Sequence, residues 1–513
     1  MDKAYGQALQ TEELAGWNEF IDALALGALV PPAYEAYRPA IIDGLIFFLE
    51  HLDEDRALAI LGEQALLPED AGINERIVAI ARNCPALHKL GQVLARDRRL
   101  SPDLRCLLQG LESMPSQLGA AEARALAEAE LGPLADLGIR IEEPPLAEAS
   151  VAVVVPFEGR DAGGQPLRGV LKLLKPGVEA ALAAELETLQ RIGALLDERC
   201  EAYRLPAIAY EETFRDVRAL LAREVRLDQE QAHMRRRTRR LGGNGGRGHS
   251  RVYGFSTPRV TAMQRIDGCK VTDAAAKLPR RARRRLGDAV IRALIARPLW
   301  AAGGEDLSLF HADPHAGNLF ATADGKLAIL DWSLVGALSK ADRVALTQLV
   351  IGALTIDRSR IRAAIDALSQ GRSDGAALAA VIDERIGTLK EGAFPGMGWV
   401  TSLLDEAALH ARCRFDGDLL MFRKVLQTLE GVVADVSADA RPDRVLVVSV
   451  IKALAAEWGQ RLYAPPFSRH FATHLSTLDL TQLWASAPLI GQRQLYGLTR
   501  NNRPRSPVFA VAG

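Results

Sequence analysis

Apolar and polar positions along the chain change period several times, and each change predicts a different element. Over residues 1–80 apolar side chains recur at helical spacing, as at Leu45, Phe48, Leu49 and Leu52, which predicts a helical region. Residues 81–130 continue it with Ala, Leu and Arg dominating. Near Ile139 the period shortens. Val151–Val155 and Val170–Leu174 are valine-rich runs flanking the turn-forming stretch Glu158-Gly159-Arg160-Asp161-Ala162-Gly163-Gly164, which predicts a β-hairpin. Leu182, Leu186, Leu189 and Leu196 then line one face of a helix. A second helix is predicted from about Leu220 to Leu241, ending at the break Gly242-Gly243-Asn244-Gly245-Gly246.

Residues 260–265 read as another strand, ending at Asp267-Gly268. Beyond them the pattern is helical except for one hairpin. Leu319-Phe320-Ala321-Thr322 and Leu327-Ala328-Ile329-Leu330 flank a turn at Ala323-Asp324-Gly325. Ser339 with Asp342 has the spacing of a capping box, and helices are expected from there to the end. The expected division is 1–80, an N-terminal helical region; 81–138, a helical extension; 139–268, a small β-rich lobe; 269–460, a helical lobe; and 461–513, a C-terminal tail. No internal repeat is visible.

Bulk composition narrows the class. The 513 residues suit two to four units at about 150 residues each. Lys plus Arg number 63 against 64 Asp plus Glu, which argues against bulk attraction to nucleic acid. The five cysteines, Cys84, Cys106, Cys200, Cys269 and Cys413, form no C-x-x-C pair, so neither a disulfide framework nor a zinc site is indicated and a cytoplasmic setting is expected. The N-terminal MDKAYGQALQTEEL has no apolar core for a signal peptide. Neither Ile41–Leu49 nor Val445–Ala456, interrupted by Lys452, reaches the length of a membrane span.

Candidate chemistry concentrates in Phe310-His311-Ala312-Asp313-Pro314-His315-Ala316-Gly317-Asn318-Leu319, followed 13 positions after Asn318 by Asp331. Kinase-type phosphoryl transfer needs one carboxylate at the acceptor and an Asn plus an Asp holding Mg²⁺. Asp313, Asn318 and Asp331 supply that set, and the hairpin returns the chain to the loop. Asp and Asn also cap turns, and His311 is expected to brace the loop rather than act on substrate. A lysine inside the apolar run Gly169–Leu174 is costly unless its charge is paired. Lys172 is that lysine. The helix after Leu220 offers Glu224 and Glu230, and Glu230, on the edge of the stripe marked by Leu227 and Met234, is the expected partner. On an edge strand Lys172 would simply face water. The usual glycine-rich nucleotide loop is replaced by Pro145-Leu146-Ala147-Glu148-Ala149-Ser150-Val151-Ala152.

These pieces resemble the UbiB/AarF family of atypical kinases over roughly residues 80–340. His311–Asn318 is similar to the family's H-A-D-P-H-P-G-N loop, Ala147–Ala152 to its Ala-rich loop, and Lys89-Leu90-Gly91-Gln92 to its K-x-G-Q motif. The resemblance implies an α+β, protein-kinase-like two-lobe fold with an N-terminal helical extension. It implies ATP and Mg²⁺ as cofactors. Asp313, Lys172 and Glu230 would be catalytic. Lys172, Ala147, Ala149, Ser150, Gln264, Lys89 and Gln92 would bind nucleotide, and Asn318 and Asp331 would hold metal. It further implies ATPase activity or small-molecule phosphorylation tied to isoprenoid-quinone or lipid-like molecules, with Lys89 and Gln92 lying over the active site. The chain departs from the pattern in four places. Glu224-Val225-Arg226 lacks the Asp of E-x-D, Gln264 stands at the hinge glutamate, Asp331-Trp332-Ser333 replaces Asp-Phe-Gly, and Ala152-Val153 stands where Gly-Gln is usual. Many members end in membrane-spanning helices, and none is expected here, which points to a divergent soluble or peripheral branch.

Two alternatives share parts of this pattern: an aminoglycoside- or choline-kinase-like phosphotransferase, whose metal motif often reads Asp-Trp, and a nucleotide-binding regulatory pseudokinase. The arginine-rich stretches Arg235–Arg240 and Arg280–Arg285 suit peripheral contact with anionic membrane. They lack an aromatic platform for nucleic acid.

Overall fold

The structure is a computed structural model, and it describes residues 30, 32–68, 70–94, 102–110, 118–160, 163–205, 210–240, 251–300 and 306–501. The expected break at Gly242–Gly246 lies outside the described residues, as do residues 1–29. The chain forms two compact units. Unit 1 comprises residues 1–266 together with 331–334, and unit 2 comprises residues 267–330 and 335–513.

In unit 1, helices α1 (Arg38–Glu50), α2 (Glu54–Leu66), α3 (Ile73–Asn83), α4 (Pro85–Leu94), α5 (Pro102–Gly110) and α6 (Ala120–Leu131) precede an antiparallel sheet. Its strands are β1 (Ile139–Ile141), β2 (Ala147–Glu148), β3 (Ala152–Arg160), β4 (Pro166–Leu174) and β5 (Val260–Gln264), in the order β1-β3-β4-β5 with β2 also on β3. The predicted hairpin is β3–β4, in register with Val154 opposite Lys172 and Ala152 opposite Leu174. Strand β4 is therefore interior, which removes the edge-strand reading of Lys172. One face of the sheet buries Val153, Val155, Phe157, Leu171, Leu173 and Ala262 with Ala123 and Ala127 of α6. Helix α7 (Val178–Arg199) carries the predicted leucine face, and Leu182, Leu189 and Ile192 bury Phe48, Leu49 and Ile60 in a second core.

The single helix expected from Leu220 to Leu241 is three pieces: α8 (Tyr210–Leu221), a 3₁₀ turn (Ala222–Val225) and α9 (Leu227–Arg240). Arg226, at φ −95° and ψ 67°, leaves helical backbone between them. The apolar period runs across this break, so the pattern did not reveal it.

Unit 2 contains more strand than expected. Besides the predicted hairpin, β8 (Leu319–Thr322) with β9 (Leu327–Ile329), it has β6 (Gly268–Lys270) paired with β8, and β7 (Leu307–His311) paired with β10 (Val335–Ser339). Gly325, at φ 75°, closes the β8–β9 turn in the left-handed region that suits glycine. These extra strands are three to five residues long, too short to show alternation. The helices are α10 (Val271–Lys277), α11 (Arg280–Ile291), α12 (Lys340–Thr355), α13 (Arg358–Leu368), α14 (Gly375–Lys390), α15 (Met397–His410), α16 (Gly417–Val436), α17 (Pro442–Arg461) and α18 (Thr477–Asn501). Ser339 and Asp342 form the capping box at the start of α12: the Asp342 amide donates to Ser339 Oγ at 3.0 Å and the Ser339 amide to Asp342 Oδ2 at 3.0 Å. Among the described residues no helix is long and apolar enough to cross a membrane.

Candidate active site

Unit 1 gathers a chain of alternating charges. Lys172 points from the interior strand β4, and its Nζ donates to Glu230 Oε2 on α9 at 2.9 Å, the pairing expected from the sequence. Glu230 is 1% exposed, so the contact is made out of water and each charge needs the other. Lys172 Nζ also lies 3.6 Å from Asp331 Oδ1. Burial works against the lysine's charge, but Asp331 and Glu230 outweigh it and hold the ammonium well above its ordinary range. Burial pushes the Glu230 carboxyl up, with Lys172 pulling the other way. Asp331 goes in the opposite direction. Burial would raise it, but Lys172 and Lys89 together with the Ser333 amide, which donates to Oδ1 at 3.1 Å, hold it far below the usual carboxylate range.

Asp331 adopts φ 48°, a left-handed backbone that Asp tolerates better than most residues. The segment after it is gripped from α9 at two points. The Trp332 amide donates to Glu230 Oε1 at 3.3 Å, and His233 Nδ1 lies 3.2 Å from the Trp332 carbonyl. His233 was not singled out in the sequence, although its place three residues after Glu230 puts it on the same helix face. Lys89 on α4 pairs with Glu224 Oε1 at 2.9 Å. Glu224, weighed in the sequence as a partner for Lys172, thus belongs to Lys89. Gln92 lies on the same helix, α4. Arg226, where the family pattern has Asp, forks onto Asp228 at 2.9 and 2.8 Å.

The Ala-rich stretch is a tight hairpin. Strand β2 pairs with β3, and the Ala149 amide donates to the Ala152 carbonyl at 2.8 Å, so that amide is engaged within the turn. Ala147 is half-buried and Ser150 buried. Glu148 anchors the hairpin by an ion pair with Lys175 at 2.6 Å, a contact the sequence reading missed. Gln264 closes β5 opposite Gly169, with its side chain exposed.

Unit 2 holds the loop after β7. His311 is buried. Its Nδ1 accepts the Asp313 amide at 3.2 Å, so Nε2 carries the proton and donates to the Leu330 carbonyl at 3.0 Å. This is the bracing role expected of it. Asn318 Nδ2 donates to the Asp313 carbonyl at 3.0 Å, and its main chain receives the Leu330 amide at 2.8 Å. His315 Nδ1 accepts the Gly317 amide at 3.1 Å, and its Nε2 is 3.8 Å from Asp313 Oδ2. The structure thus collects Lys89, Glu224, Lys172, Glu230 and Asp331 in unit 1, and His311, Asp313, His315 and Asn318 in unit 2.

The ABC1 atypical kinase-like domain, as a family model, matches residues 111–365, a span that takes in Lys172, Glu230, Asp313, Asn318 and Asp331. The chain is a divergent member of the UbiB/AarF-type family. Its relatives include an uncharacterized aarF domain-containing protein kinase, chloroplastic, from Arabidopsis thaliana, 26% identical over 323 residues, covering 59% of this chain and 56% of that one. A probable protein kinase UbiB from Marinobacter nauticus is 26% identical over 280 residues, covering 50% and 47%. The chain spans about half the length of these UbiB/AarF relatives. Among solved structures, the Rv3197–erythromycin complex from Mycobacterium tuberculosis superposes with a TM-score of 0.49 at 16% identity, covering 77% of this chain and 97% of that chain. The fold of this UbiB/AarF-type chain is α+β and kinase-like.

Proposed function

We propose that the protein binds ATP with Mg²⁺ and carries out ATP hydrolysis or phosphoryl transfer to a small, lipid-like acceptor of the isoprenoid-quinone kind. The observation that carries this reading is Lys172, a buried ammonium kept protonated between Glu230 and Asp331. The residues fit the cofactor. A buried cation fixed by a carboxylate suits phosphate oxygens, and a carboxylate held ionised suits a hard divalent ion. Asn318, donating through Nδ2, turns its Oδ1 away from the Asp313 carbonyl.

Bound MgATP supplies the transferable phosphoryl group. Lys172 would hold α- and β-phosphate oxygens, with Glu230 fixing the direction of its ammonium. Asn318 and Asp331 would hold the metal. Asp313 would accept the proton of the attacking hydroxyl or water. The Ser150 turn would border the nucleotide, and Lys89, tied to Glu224, would place a second positive charge in the field of Asp331. A regulatory protein that binds nucleotide without turnover is favoured by one observation, Arg226 in place of the E-x-D aspartate. The decisive assay is Mg²⁺-dependent ATP hydrolysis, with and without anionic lipid and a phenolic quinone-precursor mimic, beside Asp331→Asn. Turnover lost by about 10²–10³-fold in the variant supports the reading. Mg²⁺-dependent binding without turnover supports the regulator, and no nucleotide binding overturns both.

A further inference from the structure

Unit 2 contains an apolar cavity of about 270 Å³ among α12, α15, α16, α17 and α18. Its wall is mainly aliphatic, with Leu346, Val350, Leu404, Leu426, Val450 and Leu454 among the contributors. Most hydroxyl and charged groups on that wall are already engaged, although Arg423 Nε is buried without a hydrogen-bond partner. Thr347 Oγ1 donates to the Arg343 carbonyl at 2.8 Å and Thr401 Oγ1 to the Met397 carbonyl at 3.1 Å. Thr473 Oγ1 is bound to Glu457 Oε2 at 2.9 Å, Arg423 pairs with Asp405 at 2.5 Å, and Asp443 Oδ1 accepts the Met397 amide at 2.9 Å. An occupant therefore meets hydrocarbon and almost no group that seeks a hydrogen bond, so a polar ligand would be stranded there without partners.

The cavity's lining is exposed on α17 and at Phe394. Val447 and Ile451 line it and are also 46% and 58% exposed. From them an apolar stripe continues along the same helix at Ala455 and Trp458, with Leu462 just past its end, at spacings of three and four. An opening bordered by exposed apolar side chains admits a hydrocarbon and leaves a polar end in water.

From this geometry we infer that the cavity is a binding site for a single aliphatic chain of an amphiphile. An apolar cavity of 150 Å³ accepts benzene, so this one suits a segment of about ten carbons. The polar end lies outside, at Val447 and Ile451, and is not selected. None of the residues expected to handle nucleotide lines the cavity, so the site stands or falls separately from phosphoryl transfer.

The test uses delipidated full-length protein titrated with dodecanoate and, separately, with dodecanol, followed by native mass spectrometry and calorimetry. Three variants accompany it: Val450→Trp to fill the cavity, Ile451→Asp to place a charge at the mouth, and Leu462→Asp on the exposed stripe outside the lining. One saturable equivalent of either probe is expected, weakened about tenfold or more by the first two variants and unchanged by the third. Similar affinity for acid and alcohol confirms that the chain is what is recognised. Binding of the acid alone, no saturable binding, or equal loss in Leu462→Asp would each overturn the site. Should Val450→Trp fail to fold, Ile451→Asp, at an exposed position, decides alone. ATP hydrolysis measured on the same samples keeps the two readings distinguishable.

Discussion

The charge network of unit 1 and the loop of unit 2 are held in opposite ways. Lys89, Lys172, Glu224, Glu230 and Asp331 come from five places in the chain and meet through ion pairs made largely out of water. His311, Asp313, His315, Asn318 and Leu330 fall within 20 residues and are held by hydrogen bonds in which main-chain groups take part. Buried charges depend on one another, so losing one strands the next. A loop locked through its own backbone loses only the bonds that are removed.

The largest effect expected from this contrast is at Lys172. Lys172→Met leaves Glu230 buried beside Asp331 with no cation, and a loss of about 3–5 kcal/mol is expected in denaturant unfolding. Glu230→Gln should cost less, because Lys172 keeps Asp331 at 3.6 Å. The double variant Lys172→Met/Glu230→Gln should recover much of the loss. If instead the two single losses simply add, the pair is not coupled and the contrast fails.

Legibility in the sequence follows the same divide. The loop was readable because its chemistry is compressed into His311–Asn318 and its hairpin into one turn signal at Ala323–Gly325. The Lys172–Glu230 pair was inferable only because a lysine in an apolar strand demands a partner, and the choice of Glu230 rested on its place at the stripe's edge. Glu224 as the partner of Lys89, Lys175 as the anchor of Glu148 and the grip of His233 on Trp332 had no local signal. Each depends on elements far apart in sequence that only tertiary packing brings together. The break at Arg226 was hidden for a different reason, since the apolar period persists through a single non-helical residue.

Acid separates the two units next. Asp331 is depressed, so its contribution is present above its unfolded value near 3.9 and is lost only as pH falls below that. Lys172 is raised, so its contribution is present below about 10.4 and is lost as pH rises through its folded value. Between these limits neither Asp331 nor Lys172 changes charge, whereas Glu230, raised by burial, contributes stability below its unfolded value near 4.3 that is lost as pH rises through its folded value. In unit 2 His474 behaves otherwise. It is 1% exposed and lies beside the Arg343 charge, and burial first, then that charge, lowers it from 6.5 to about 4 against a hydrogen bond to the Leu299 carbonyl. Below pH 6.5 the unfolded chain takes up a proton that the folded chain refuses. Unit 2 should therefore lose about 2–3 kcal/mol between pH 6.5 and 4. Hydrogen exchange read separately in β4 and α12 measures this. His474→Asn, which suits the local φ of 56°, should flatten the unit 2 profile. A wild-type profile equally flat in both units would remove the distinction.

The smallest effect tests the loop itself. His311→Phe preserves ring volume but deletes the bonds to the Asp313 amide and the Leu330 carbonyl. Leaving buried polar groups without partners costs about 1–3 kcal/mol each. Asp313 is only half-buried, so water can satisfy part of that demand. About 2 kcal/mol in all is expected. The Asn318 bonds to Asp313 and Leu330 remain in the variant, so the loop should loosen at its His311 end and keep its Asn318 end. Amide exchange at Asp313 should accelerate more than at Leu330, whose N–H still donates to the Asn318 carbonyl at 2.8 Å. Equal acceleration at both would mean that His311 holds the whole loop, as Lys172 holds its network, and that the two regions are built alike after all.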